Sequence, residues 1–260
     1  MEWSELKYAV QDGVGLITLN RPDRLNAWTP TLEIEFKAVI ETAQQDESVR
    51  CVVLNGAGRA FCAGMDMAIL GTSDRKSFTT DSDDDVMQRY GYLFGFDKPL
   101  IAAMNGAAAG VGLCLALYCD IRFIASGAKV ALPYTRRGLV AEHGLAWLLP
   151  RLIGPMYTAD LLLSGRTIEA QEASQMGMAL LRPAEGFMEV VMTYAKELAS
   201  SCSMRSTRII KKQLYEARYQ TFGQATFIAD REIALCRETH DFKEGVQHFI
   251  EKRKPNFTGR

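Results

Sequence analysis

The stretch Pro99–Asp120, PLIAAMNGAAAGVGLCLALYCD, constrains the chain more than any other. An apolar run stops at Asn105-Gly106, a tract of small residues follows, and a hydrophobic helix begins near Val111. Small residues let the main chain approach a ligand closely, and the first turn of a helix leaves N–H groups pointing outward without partners. Negative charge is favoured there, whether it belongs to a bound phosphate or develops on an oxygen during a reaction. The same residues also suit a tight strand-to-helix packing contact, and the stretch alone does not choose between the two.

The balance of charge narrows the partner. Thirty basic against 31 acidic side chains leave a formal net charge of −1, which gives no general attraction for nucleic acid or an anionic membrane and points to a small molecule. With 48% hydrophobic and 23% charged residues over 260 positions, the chain can bury a sizeable core. MEWSELKYAV carries neither a basic nor an apolar leader pattern, and no apolar run is long enough to span a bilayer, so a cytoplasmic location is expected. Six cysteines form no CxxC pair, and with only three histidines the spacing predicts reduced thiols and no metal site.

Read in order, Tyr8–Val10, Asp12-Gly13 and Val14–Leu19 predict a β-hairpin closed by Pro22. Thr29-Pro30 opens a helix with Leu32, Phe36, Val39 and Ile40 on one face and Glu33 and Glu35 in its first turn. Cys51–Leu54 reads as a buried strand, and a short helix is expected near Met65, with Asp66 in its first turn. The polar segment Gly71–Asp85 reads as a loop. Ile121–Ala125, Lys129–Leu132 and Ala179–Leu181 read as short strands, and a loop from Pro133 to Gly144 sets Glu142 beside His143 and leads to a helix through Trp147. From about Phe187 the pattern is helical, which divides the chain into residues 1–195, a core of strand-and-helix units, and 196–260, a helical appendage.

Three blocks together resemble the crotonase superfamily, the enoyl-CoA hydratase/isomerase fold: Leu19-Asn20-Arg21-Pro22 with Leu25-Asn26-Ala27, Gly58–Asp66, and Pro99–Asp120. The resemblance implies an α/β spiral of repeated ββα units with a helical C-terminal trimerisation region, forming a homotrimer or a dimer of trimers. It implies an acyl-CoA substrate with no cofactor beyond the CoA moiety. It places the amides of Met65 and Val111 on the thioester oxygen, each at the head of a helix. CoA would run past Arg24, Leu25 and Asn26, beside Ala63 and Asp66, with Lys252 reaching it from the C-terminal region, often of a neighbouring subunit.

Departures from the family pattern bear on the chemistry. Typical hydratases use two glutamates, and here Cys114 and Tyr134 stand at those positions. Glu142 instead matches the place where double-bond isomerases of the family keep a single carboxylate, with Ala141 in place of their proline. One base suffices for isomerisation, because it removes a proton from Cα and returns it at Cγ while the oxyanion hole holds the dienolate. Such a glutamate is expected to be buried in an apolar acyl pocket. Hydration of a 2-enoyl-CoA is the alternative, followed by C–C bond hydrolysis with His143 or binding without turnover. Because neighbouring residues diverge, Glu142 and His143 are not expected to act as a pair. A Rossmann site is excluded, since Gly106-x-x-x-Gly110-x-Gly112 has the wrong spacing.

Overall fold

The computed structural model describes residues 3–70 and 90–260, so the loop expected over Gly71–Asp85 lies outside the described residues. β1 (Leu6–Gln11) and β2 (Val14–Leu19) form the hairpin, joined by Asp12 and Gly13 at φ 52° and 78°. Two positive φ values in succession match the right-handed twist of the strands. Helix α1 (Pro30–Gln45) starts at Thr29, whose hydroxyl accepts from the Leu32 amide at 3.0 Å. Its buried stripe is Leu32, Phe36, Val39, Ile40 and Ala43. Glu33 sits in the first turn as expected, whereas Glu35 serves the N-terminus, accepting from the amides of Ser4 at 2.7 Å and Glu5 at 2.9 Å.

β3 (Cys51–Gly56), β4 (Ala60–Cys62) and the one-turn α2 (Met67–Leu70) follow, then β5 (Leu100–Met104), β6 (Ala107–Ala109) and α3 (Val111–Tyr118). The next turn is β7 (Ile121–Ala125), β8 (Lys129–Ala131) and α4 (Leu145–Ser164). β9 (Thr167–Glu169), α5 (Ala170–Gln175) and β10 (Leu180–Arg182) complete the spiral. Each turn gives one strand to a six-stranded sheet, β1-β2-β3-β5-β7-β10, and one to a four-stranded sheet, β4-β6-β8-β9. Pairing from β2 to β10 and from β4 to β8 is parallel, while β1 and β9 are antiparallel at the edges.

Both faces of the larger sheet are covered, which is why β5 is buried throughout. One face packs on α1 and the smaller sheet; the other receives α6 (Phe187–Ser201) through Val191, Ala195 and Ala199. The division expected at 195/196 falls inside this helix, whose sheet-facing side continues to Ala199. The helix expected through Trp147 runs on to Ser164 in α4: it breaks at Gly154 (φ 79°) and restarts at Pro155, which is pre-organised for a first turn.

Helices α7 (Met204–Glu216), α8 (Phe222–Arg237) and α9 (His240–Glu251) form the C-terminal region. Lys211 anchors α7 to the core: it is 7% exposed, with its ammonium 2.8 Å from Asp120 and 2.9 Å from the Lys98 carbonyl. Asp120 also accepts from the Leu100 amide at 2.7 Å and the Tyr215 hydroxyl at 2.7 Å. Among the described residues no helix is long and apolar enough to cross a membrane.

Candidate active site

The small-residue tract makes the tight strand-to-helix contact. Ala107–Ala109 is a strand of the smaller sheet, and Gly110 (φ 50°) turns the chain into α3, its amide held by the Ala131 carbonyl at 3.0 Å. Gly112 lies so close to β4 that an added Cβ would sit 2.6 Å from the Cys62 Cβ and 2.7 Å from its Sγ, and closer still to its carbonyl oxygen. This contact sets α3 against the end of β4 and brings Val111 alongside Met65.

Met65 is held on both flanks. The Trp28 amide donates to the Gly64 carbonyl at 2.8 Å, and the Asp66 amide donates to the Trp28 carbonyl at 3.0 Å. Among the described residues neither the Met65 nor the Val111 amide N–H has a hydrogen-bond partner. The expectation that each donor heads a helix needs correction for Met65, which precedes a helix of only four residues. A single turn sums too few peptide dipoles to matter, so the N–H itself is the contribution there. Asp66 caps that turn, accepting from Ala68 at 3.1 Å and Arg21 at 3.1 Å, and these two bonds hold its carboxyl below the usual range.

The loop after β8 supplies the ionisable side chains. Tyr134 leads into a 3-10 turn, Thr135–Arg137, that ends at Gly138 (φ 68°). His143 (φ 57°) and Gly144 (φ 68°) then reverse the chain into α4. The expectation that Glu142 and His143 diverge is overturned: Glu142 Oε2 stands 3.8 Å from His143 Nε2, and both line one cavity with Met65 and Val111. The left-handed backbone at His143 is the reason, because it rotates successive side chains toward the same side. That conformation is costly for a residue with a Cβ and needs support. Tyr118 provides it, its hydroxyl donating to the His143 carbonyl at 2.7 Å, while the imidazole packs 5.1 Å from the Tyr90 ring. Neither tyrosine carried a signal in the sequence, since each reaches His143 across the fold.

The cavity measures about 40 Å³, and Glu142 is its only carboxylate among the described residues. The Glu142 side chain is 42% exposed, so the expected burial in an apolar pocket is not present within this chain. The sequence profile described as Enoyl-CoA hydratase/isomerase matches residues 9–260. This chain belongs to that family.

Relatives in the family carry both names. The chain is 32% identical to 1,2-epoxyphenylacetyl-CoA isomerase of Escherichia coli K12, over 96% of this chain and 97% of that protein. It is 33% identical to 2,3-dehydroadipyl-CoA hydratase of the same organism, over 99% and 100%. A crystal structure of a putative enoyl-CoA hydratase from Streptomyces coelicolor superposes with TM-score 0.89 at 32% identity, over 100% of this chain and 96% of that one. The protein is therefore an enzyme of the enoyl-CoA hydratase/isomerase class, with the family's spiral fold.

Of the two residues expected at the hydratase glutamate positions, Cys114 is sealed in the core and Tyr134 is buried in the wall of the cavity. Cys114 is fully buried, and burial, then the charge of Glu142, pushes its thiol well above the usual range. Burial, then Cys114 and Glu142, likewise raises the Tyr134 phenol. Both shifts favour the protonated form, which disfavours either group as a base.

The residues expected along CoA are brought together in part. Leu25 and Asn26 both adopt positive φ (52° and 54°), and the Leu25 carbonyl accepts from the Ala63 amide at 3.0 Å. Arg24 is exposed beside Asp66. Asn26 is fully buried, and its side chain is spent on structure: Nδ2 donates to the Ala57 and Ala60 carbonyls at 2.9 Å each, and Oδ1 accepts from the Arg21 amide at 2.9 Å. Lys252 ends α9 in an exposed left-handed position and does not line the cavity. A larger groove of about 980 Å³ between α7, α8 and Trp147 contains neither amide nor Glu142.

Proposed function

We propose that this enzyme shifts the double bond of an enoyl-CoA thioester, with Glu142 as the acid/base. The observation that carries the reading is the single carboxylate in a cavity shared with two unpartnered amides. The thioester oxygen accepts from the Met65 and Val111 N–H groups, which stabilise the charge that develops when the Cα proton leaves. Glu142 takes that proton, the dienolate forms, and the same carboxyl returns the proton at Cγ, so the thioester ends with its double bond moved and nothing else added. No group beyond the CoA moiety enters this scheme.

CoA is proposed to lie along Arg24–Asn26 and Ala63, using main-chain groups at Asn26 and the exposed guanidinium of Arg24. Lys252 is assigned to the CoA of a neighbouring subunit, which suits its distance from the cavity. Phe227, Phe249 and Ile250 are 68%, 80% and 67% exposed on α8 and α9. Such apolar exposure supports a trimer contact, with residues 196–260 as the assembling region.

A second reading rests on the Glu142–His143 approach at 3.8 Å, a spacing that allows the pair to hold and activate a water. It favours hydration or C–C bond hydrolysis. Turnover of 2- and 3-enoyl-CoA in isotope-labelled water separates the readings: migration of the double bond without oxygen incorporation supports isomerisation. Glu142→Gln is expected to lower kcat about 10²- to 10⁴-fold on a 3-enoyl-CoA. Full activity in that variant ends the proposal.

A further inference from the structure

Tyr134 has no task in the scheme above, although its placement is among the most restrained in the site. Its amide donates to the Leu132 carbonyl at 2.9 Å, and its own carbonyl accepts from the amides of Arg137 and Leu139, each at 2.9 Å. The side chain is 5% exposed and lines the same cavity as Glu142, Met65 and Val111. Its hydroxyl nevertheless has no hydrogen-bond partner among the described residues. Buried hydroxyls are nearly always bonded, and one left unpaired weakens folding, whereas phenylalanine would fill the same space without that cost.

The identity of the missing partner follows from what else the cavity offers. A thioester oxygen is already served by two amides, and Glu142 reaches solvent. Because the phenol stays protonated, it acts as a donor and needs an acceptor brought in by the ligand. A hydrocarbon chain has none.

We infer that Tyr134 donates a hydrogen bond to an oxygen atom on the acyl chain near its reacting carbons, so that the preferred substrate is an oxygen-substituted acyl-CoA rather than a plain enoyl-CoA. This rests on the reading of the cavity as the acyl site. A site that must leave a buried donor unpaired with the wrong ligand discriminates against that ligand more strongly than a purely apolar pocket does.

The test is calorimetric binding of butyryl-CoA, 3-hydroxybutyryl-CoA and 4-hydroxybutyryl-CoA to the wild-type enzyme, Tyr134→Phe and Glu142→Gln. At least one hydroxylated ester is expected to bind the wild type about 10- to 100-fold tighter than butyryl-CoA. Glu142→Gln keeps that preference without turnover, and Tyr134→Phe loses it. Equal affinity of the wild type for all three esters overturns the inference without any variant, as does a preference that survives in Tyr134→Phe. Should Glu142→Gln retain isomerase activity while the binding preference holds, the acid/base assignment falls and the role of Tyr134 stands. If no ester binds more tightly than free CoA, the cavity is not the acyl site and both readings fall together.

Discussion

Gly112→Ala tests whether the α3–β4 contact sets the rate. The new Cβ would lie 2.6 Å from the Cys62 Cβ and 2.7 Å from its Sγ, with the Cys62 carbonyl oxygen nearer still. Ordinary contact between carbon atoms needs about 3.5–4.0 Å, so α3 must retreat by about 1 Å. Val111 is the adjacent residue and moves with it. A displacement of that size stretches a normal hydrogen bond to the thioester oxygen beyond useful length. Losing one oxyanion donor costs about 10²- to 10³-fold in kcat, and the overpacking itself destabilises by about 1–3 kcal/mol. The assay is steady-state kinetics on a 3-enoyl-CoA, with denaturant unfolding alongside. The fall is expected in kcat, with KM little changed, because in the proposed scheme the Val111 amide acts on charge that appears in the transition state. Cys62→Ala in the same chain should not restore activity, since the closest obstacle is main chain. Wild-type kcat in Gly112→Ala would show that the α3–β4 contact does not set the position of the Val111 amide.

Two further outcomes follow from groups outside the cavity. Lys211→Met strands the Asp120 carboxylate, which keeps only the Leu100 amide and Tyr215 hydroxyl, and is expected to cost about 3 kcal/mol in urea unfolding; a loss below about 1 kcal/mol would show that the ion pair does not anchor α7. The Arg253 guanidinium and the Asn256 amide hold Glu244 down at about 2. A carboxyl depressed in the folded state contributes fully above its unfolded value of about 4.3 and less as pH falls toward its folded value. The protection of amides over residues 256–260, taken relative to the intrinsic exchange rate at each pH, should therefore fall between about pH 4.5 and pH 2, and Glu244→Gln should show the lower protection already at neutral pH.

The chain's own pattern revealed the elements that carry long or strongly punctuated signals. The hairpin at Asp12-Gly13, the helix opened by Thr29-Pro30 and the helical C-terminal region all appear where local chemistry demands them. The strands β4, β6 and β9 were not legible, whereas β8 and β10 of the same length were; three residues have no period to read, and such a segment exists mainly through its neighbours. The helix expected through Trp147 falls short of Ser164, because Gly154 and Pro155 hide a restart that only packing sustains.

At the site, residue identity alone shows which groups are available: small residues before α3, one glutamate in the loop after β8, and Cys114 and Tyr134 at the positions expected for the hydratase carboxylates. Tertiary structure decided how they meet. Gly112 sets the distance between two segments nearly fifty residues apart, a packing contact that no local pattern encodes. The positive φ at His143, supported by the Tyr118 hydroxyl, turns that imidazole toward Glu142, and the burial of Tyr134 leaves its hydroxyl in need of an acceptor. Residue identity supplies chemical capacity, but direction and desolvation come from contacts between elements distant in the chain.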